Sequence, residues 1–150
     1  MRILIAYDGS EPSKHAVEQG MSLALLTESD VTIVSVVPRV MIPVYSEVGA
    51  GGSIYARREM AEIQEDIREY YSDSLKEVSK DLHEKYLEVK VDTNLLEGRP
   101  SQTIIDFAND DVYDLIVIGS RGLGGITGWV LGSTSRRFVE SCTVPVLVIK

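Results

Sequence analysis

The chain has 150 residues, the usual size of one domain, and its 44% apolar content suffices for one hydrophobic core, so we expect a single domain over residues 1–150. A net charge of -8 excludes the basic surface that nucleic acids require, and a single cysteine excludes an internal disulfide and a cysteine-based metal cluster. No stretch approaches the roughly 20 apolar residues of a membrane span, and the first apolar run is too short for a signal peptide, so we expect a cytoplasmic protein without a membrane partner.

The first predicted strand runs from Ile3 to Tyr7, and a helix over residues 12–27 follows it. The strand is apolar on both faces, as buried parallel strands are, and Ser10 is a candidate cap for the helix. Asp8 lies just past the strand. A carboxylate there accepts from a ribose hydroxyl or a ring amino group, or helps to hold a divalent metal, and the alternative interpretation is an Asp turn before the helix.

The middle of the chain predicts a strand, a loop, a long helix and another strand. The second strand runs from Val31 to Val37, and residues 38–56 form a mobile loop rich in glycine and proline. The helix from Arg57 to Tyr86 places apolar residues at spacings of three and four. The third strand, Val89 to Leu96, alternates in part.

The last third continues the alternation. A helix from Pro100 to Ala108, a strand from Leu115 to Ile118, a helix from Ser133 to Ser141 and a strand from Val144 to Ile149 follow one another. Five strands alternating with helices predict an α/β fold, with a parallel sheet and helices on both faces. Ligands of such folds bind outside the carboxyl ends of the strands.

A glycine-rich segment begins where the fourth strand ends. Gly119 and Gly122 lack a Cβ, which lets the backbone turn sharply and approach a ligand closely. Ten residues after Gly122, a helix opens at Gly132 to Ser135, where free N–H groups and hydroxyls suit a phosphate. The segment matches neither the Walker A loop nor the dinucleotide fingerprint. The alternative is a surface loop with an ordinary serine cap.

Four segments carry a resemblance to a known family. They are Val-Ile-Gly-Ser-Arg-Gly at 117–122, Leu-Gly-Ser-Thr-Ser at 131–135, Pro-Val-Leu-Val-Ile at 145–149 and Ile-Leu-Ile-Ala-Tyr-Asp-Gly-Ser at 3–10. Together they resemble the universal stress protein family over the whole chain apart from the loop at 38–56. The pattern Gly-x2-Gly-x9-Gly-Ser/Thr, present without a gap at 119–133, is that of the family's ATP-binding branch.

The resemblance implies a Rossmann-like fold of the adenine nucleotide alpha hydrolase type, with strand order 3-2-1-4-5. It also implies a homodimer joined through the strand Val144 to Ile149. The ligand would be ATP, or AMP or ADP, with Mg²⁺ or Mn²⁺ held mainly by the phosphates and with Asp8 as a further candidate ligand. The residues that the resemblance places around the nucleotide are Ala6, Tyr7, Asp8, Val36, Gly119, Arg121, Gly122, Gly132, Ser133, Thr134 and Ser135.

The function expected from the resemblance is a dimeric, ATP-binding regulator of the stress response, whose bound state an unknown protein partner reads. We assign no catalytic residue, because His15 and His83 fall away from the predicted site. One alternative is a slow ATP hydrolase or phosphotransferase using Mg²⁺ or Mn²⁺ between Asp8 and the phosphates. A second is a nucleotide-free dimerisation or interaction module, and a third, more remote, is a flavin carrier. The loop at 38–56 and the glycines at 124, 125 and 128 are expected to order with nucleotide, and Trp129 to anchor its loop.

Overall fold

The computed structural model describes residues 1–40, 50–110, 112–123 and 132–150, with the backbone alone at 50–54 and 56. These residues form alternating strands and helices, which we number in chain order. The elements are β1 (Arg2–Ala6), α1 (Glu11–Thr27), β2 (Asp30–Pro38), α2 (Ala50–Lys85), β3 (Val91–Gly98), α3 (Pro100–Asp110), β4 (Leu115–Gly119), α4 (Ser133–Ser141) and β5 (Val146–Ile149).

The five strands form one parallel sheet in the order β3-β2-β1-β4-β5. Strand β1 lies at the centre, where Ile3 is paired with Val31 of β2 on one side and with Leu115 of β4 on the other. Both the predicted strand order and the parallel arrangement are therefore confirmed. The strands read as continuous apolar runs because both faces of the sheet are covered by helices.

Each face of the sheet has its own core. Ile3 and Ile5 of β1 point to the face where α1 and α2 pack, together with residues such as Met21 and Leu75. Leu4, between them, points to the opposite face and packs with α3 and α4, including the fully buried Phe138. Successive side chains of a strand point to opposite sides, so one apolar run supplies both cores.

The serine cap of α1 is confirmed by the local geometry. The Ser10 hydroxyl accepts a hydrogen bond from the N–H of Ser13 at 3.3 Å, and Pro12 stands in the first turn. This bond satisfies one of the N–H groups that a helix start leaves without a partner. Ser10 thereby sets the point at which the chain turns from β1 into α1.

Several predicted boundaries are wrong. Strand β5 begins at Val146 and not at Val144, and the starts of α2 and β3 are wrong too. Helix α2 begins at Ala50, so residues 50–56 are helical although they were expected in the loop, and residues 41–49 of that loop lie outside the described part. Two glycines near its start each cost a helix about 1 kcal/mol, but a helix already formed extends at one hydrogen bond per residue. Strand β3 begins at Val91, because Val89 is held in a turn by a bond from its N–H to Tyr86 O at 3.3 Å.

In the described ranges, no helix combines the length and the apolar character needed to cross a membrane. The assignment of residues 1–150 to one domain stays a prediction.

Candidate functional site

A cleft of about 360 Å³ opens at the carboxyl edge of the sheet. It lies between the ends of β1 and β4, which are neighbours in the sheet. The chain leaves β1 toward the face covered by α1, whereas the helix after β4 covers the opposite face. This divergence opens a crevice at the switch point of the strand order, where ligands of such sheets bind.

All eleven residues predicted for the site line this one cleft, although they come from four separate parts of the sequence. Seven further lining residues were not predicted. They are Ser13, Tyr71, Pro100, Ile104, Ile118, Leu123 and Phe138. The structure thus brings the predicted residues together, and their role in binding stays a prediction.

The amino end of α4 forms one wall of the cleft. Gly132 stands at the cap position in an extended conformation (φ -58°, ψ 158°) and supplies no side-chain cap. In the described part of the chain, the hydroxyls of Ser133 and Thr134 have no hydrogen-bond partner. The free N–H groups of the first turn and these two hydroxyls are therefore available to an anion, which the positive end of the helix dipole favours.

Ser135 has a different position from its two neighbours. Its side chain is buried, and its hydroxyl donates a 2.8 Å hydrogen bond to the carbonyl oxygen of Gly119. This bond holds the first turn of α4 against the end of β4. The hydroxyl of Ser135 therefore fixes the geometry of the wall that Ser133 and Thr134 present.

Asp8 joins the two loops that border the cleft. One carboxylate oxygen, Oδ1, accepts the N–H of Ser10 at 3.0 Å, and the other, Oδ2, accepts the N–H of Leu123 at 3.1 Å. The first bond is the Asp turn that the sequence offered as the alternative interpretation. The second bond reaches the loop after β4. The carboxylate also lines the cleft, so the turn and a place at the site coexist.

The three glycines of the predicted pattern are needed for different reasons. A Cβ at Gly119 would lie 2.7 Å from the carbonyl carbon of Pro12 and 2.9 Å from the nitrogen of Ser13. Gly119 is therefore required by the close packing of α1 against β4, which corrects the interpretation that its missing Cβ serves a ligand. At Gly122 the Cβ would lie 2.6 Å from Asp8 Oδ2. At Gly132 it would meet its nearest neighbour at 3.4 Å, an ordinary contact.

The opposite end of the cleft is apolar. Val36 of β2 and Ile104 of α3 are both 4% exposed, and Ala6 and Pro100 line the cleft beside them. Val36 is buried in the core and still borders the cleft, as the resemblance implies. A ligand of matching shape would place a flat apolar group here and an anionic group at α4.

Helix α2 contributes Tyr71 to the cleft wall. Burial raises the pKa of the Tyr71 phenol above its ordinary value of 10.0, and the negative charge of Asp8 adds to the rise. The phenol therefore keeps its proton at neutral pH and remains a hydrogen-bond donor. Tyr71 belongs to the apolar face of the predicted helix. A hydroxyl within that face was the only feature of the sequence that could have indicated a place for Tyr71 at the site.

The histidines and the remaining loop residues add little to the described site. His15 and His83 are exposed and do not line the cleft, and His83 Nδ1 lies 2.7 Å from the carbonyl oxygen of Ser79. Arg121 is exposed at the rim of the cleft. Among the described side chains, no three His, Cys, Asp or Glu residues come together as a metal site. Trp129 and the glycines at 124, 125 and 128 lie outside the described residues.

Comparison with known sequences identifies relatives over the whole chain. The family model described as "Universal stress protein family" matches residues 1–150. The chain is 32% identical over 149 residues to universal stress protein MJ0531 of Methanocaldococcus jannaschii, covering 99% of this chain and 81% of the relative. It is 29% identical to universal stress protein YxiE of Bacillus subtilis, covering 99% and 98% of the two chains.

Solved structures share the fold. Universal stress protein UspA from Lactobacillus plantarum superposes with a TM-score of 0.82 at 21% identity, covering 100% of this chain and 97% of that one. A universal stress protein in complex with cAMP has a TM-score of 0.68 at 19% identity, with 100% and 97% covered. A family member from Arabidopsis thaliana with AMP bound has a TM-score of 0.61 at 21% identity, with 100% and 91% covered.

At these identities the structural likeness speaks for the fold alone. The family model and the sequence relatives, in contrast, span essentially every residue of the chain. On this evidence the protein belongs to the universal stress protein family.

Proposed function

We propose that the protein binds an adenine nucleotide in the cleft and acts as a nucleotide-dependent regulator of a stress response. The observation that carries the proposal is the uncapped start of α4, where the hydroxyls of Ser133 and Thr134 have no partner in the described part of the chain. Such a start is a ready site for a phosphate. The net charge of -8 opposes anions at long range, so the site depends on these local donors.

The two ends of the cleft suit the two ends of a nucleotide. The apolar end, with Val36, Ile104 and Pro100, accepts a flat base, and the α4 end accepts phosphate. Two structural neighbours contain adenine nucleotides, namely the one in complex with cAMP and the one from Arabidopsis thaliana with AMP bound. They support an adenine nucleotide as the ligand here, with ATP as our first choice.

A divalent cation is the natural companion of a polyphosphate in this cleft. Among the described residues that line it, Asp8 is the one carboxylate, and each of its oxygens already accepts a backbone N–H. A carboxylate oxygen retains a further lone pair, so Asp8 fits as one ligand of Mg²⁺ or Mn²⁺ while phosphate oxygens supply others. The cation would neutralise phosphate charge beside this carboxylate.

In the proposed role the nucleotide changes the surface that the protein presents to a partner. The protein would act as a homodimer joined through β5, whose outer edge has no neighbouring strand in the described sheet. Its location in the cytoplasm stays a prediction.

The first test asks whether nucleotide binds where proposed. Mass spectrometry of the supernatant of the denatured protein is followed by calorimetric titration of ATP with Mg²⁺ into wild type, Gly132→Val and Thr143→Val. Gly132 has φ -58°, which valine adopts, so Gly132→Val should fold and obstruct the phosphate end. We expect it to weaken ATP binding at least about tenfold, the loss of one charge-assisted hydrogen bond. Thr143→Val, on an exposed residue outside the cleft, should bind like wild type.

The outcomes separate the candidate functions. If wild type binds no nucleotide, the site assignment fails and the interaction module takes its place. If ATP binds and is turned over repeatedly, with Asp8→Asn abolishing the turnover, the hydrolase or phosphotransferase replaces the regulator. The enzyme is a second candidate function because the Asp8 carboxylate lines the cleft. An absorption spectrum of the purified protein disposes of the flavin carrier.

A further inference from the structure

Helix α2 packs directly on the turn that carries Asp8. Gly9, next to Asp8, has a φ of +83°, and a Cβ there would lie 3.3 Å from Ser74 Oγ and 3.4 Å from Tyr70 Oη. The Tyr7 hydroxyl lies 3.2 Å from Ser74 Oγ. The hydrogen bond between Tyr7 and Ser74 therefore holds α2 against this part of the cleft.

The same helical turn directs Tyr71 into the cleft. Its side chain is half-buried, and within the described ranges its hydroxyl makes no hydrogen bond. Tyr71 and Asp8 line the same cleft, and burial together with the negative charge of Asp8 raises the pKa of the Tyr71 phenol. Asp8 accepts hydrogen bonds, and protonated Tyr71 both donates and accepts them. The cleft thus has a donor beside an acceptor, and the donor has no partner in the described part of the protein.

A ligand group that both donates and accepts would satisfy this pair. A ribose hydroxyl donates to a carboxylate and accepts from a phenol, and the amino group and ring nitrogen of adenine do the same together. Phosphate oxygens only accept, so without a bridging cation they do not match Asp8. The pair therefore suits the nucleoside part of a nucleotide.

We propose that Tyr71 is a specificity-determining residue of the cleft, whose hydroxyl hydrogen-bonds the nucleoside part of the ligand beside Asp8. This role rests on the proposed nucleotide binding and goes beyond it, because it makes α2 a third wall of the site. A ligand that engages Tyr71 contacts the same helix that holds the Asp8 turn.

Tyr70 provides a matched control. It lies next to Tyr71 in the same helix, its ring meets that of Tyr71 edge to face at 5.6 Å between centroids, and it is 54% exposed. It does not line the cleft. Removing one hydroxyl from either residue is the same chemical change, and phenylalanine keeps the ring packing in both.

The experiment measures the binding of ATP, 2′-deoxyATP, 3′-deoxyATP and ITP to wild type, Tyr71→Phe and Tyr70→Phe by calorimetry. We expect Tyr71→Phe to weaken ATP binding about 3- to 10-fold, the net effect of one hydrogen bond, and Tyr70→Phe to leave it unchanged. One analogue lacks the ligand group that bonds the Tyr71 hydroxyl. For that analogue Tyr71→Phe should cause no further loss of affinity, because the protein change and the ligand change remove the same hydrogen bond and are therefore non-additive. This result with 2′-deoxyATP or 3′-deoxyATP identifies the ribose, and the same result with ITP identifies the base.

Two results would overturn the role of Tyr71 while leaving nucleotide binding intact. One is equal ATP affinity in wild type and Tyr71→Phe. The other is an equal loss for ATP, ITP and both deoxy analogues, which is the mark of a packing defect. Failure of wild type to bind any of these ligands would refute the proposed function itself, and the role of Tyr71 with it.

Discussion

At the scale of single residues, the glycines of one pattern perform separate tasks. Gly119 admits the backbone of α1, Gly122 admits the Asp8 carboxylate, and Gly132 meets no neighbour closer than an ordinary contact. The first is required by the protein itself, because its close neighbours are backbone atoms, whereas the neighbour of Gly122 is the end of a side chain. The third stands next to the uncapped start of α4, where a Cβ would make ordinary contacts only.

Alanine should lower the free energy of unfolding much more at position 119 than at position 132. In Gly119→Ala the new Cβ lies 2.8 Å from the carbonyl oxygen of Pro12, a rigid backbone atom, so we expect a loss of about 3 kcal/mol in the free energy of unfolding. Gly132→Ala should cost far less, about 0.5–1 kcal/mol, because its Cβ meets ordinary contacts only and alanine is a poorer N-cap than glycine. Urea unfolding of the three proteins measures this difference. Equal midpoints would show that α1 and β4 can separate at no cost.

The lining of the cleft was predictable where a local motif exists. The segments directly after β1 and β4 contain sequence patterns that are typical of turns or of phosphate binding. Their spacing in the sequence therefore predicts the site. Pro100, Ile104 and Tyr71 reach the cleft from α3 and α2. Their positions follow from how those helices cross the sheet, and the periodicity that reveals a buried helix face gives the same signal for core and for cleft.

At the scale of elements, the edge strand β5 invites a pairing partner. It pairs with β4 on one side only, Leu147 is 37% exposed, and Val139 of the adjacent α4 is 57% exposed. An exposed apolar edge strand in a folded protein is normally covered. These facts support the predicted dimer.

A charge on this edge should separate the dimer. We expect light scattering to give a dimer for wild type and a monomer for Leu147→Lys, because a lysine within the pairing edge opposes a second apolar strand. Leu26→Lys, at a position 84% exposed near the end of α1, should remain a dimer. A monomeric wild type would refute the pairing, and a dimeric Leu147→Lys would place the interface elsewhere.

Strand and helix types followed from the sequence, whereas several ends did not. The apolar runs of β1, β2 and β4 end within a residue of their predicted ends, because burial on both faces and strand length coincide there. Near β3, the side chain of Val89 packs in the core although the residue lies before the first residue of the strand. Burial of a side chain and hydrogen bonding of its backbone in a sheet are separate constraints. A run of apolar residues indicates which side chains are buried, but not where the strand begins.

At the scale of the whole molecule, ligand binding and stability are linked. The cleft touches β1, β2, β4 and all four helices, so a bound nucleotide would favour the folded state as a whole. A ligand at 100 times its dissociation constant adds about 2.7 kcal/mol to the stability. For a chain of this size that corresponds to about 5–10 °C in melting temperature.

We therefore expect saturating ATP with Mg²⁺ to raise the melting temperature of wild type by about 5–10 °C and that of Gly132→Val by much less. Differential scanning calorimetry with and without nucleotide measures both shifts. The Thr143→Val control should follow wild type. An equal rise in Gly132→Val would mean that the stabilising nucleotide binds away from α4.

The close contact between Gly119 and α1 also bears on how such a chain diverges over time. A copy that no longer uses its ligand still has to fold, so selection continues to hold Gly119 in place. Position 132 is free of that constraint and accumulates substitutions. A descendant that keeps glycine at position 119 and has another residue at position 132 would therefore be identifiable, from its gene sequence alone, as a protein that has kept the fold and lost ligand binding in the cleft.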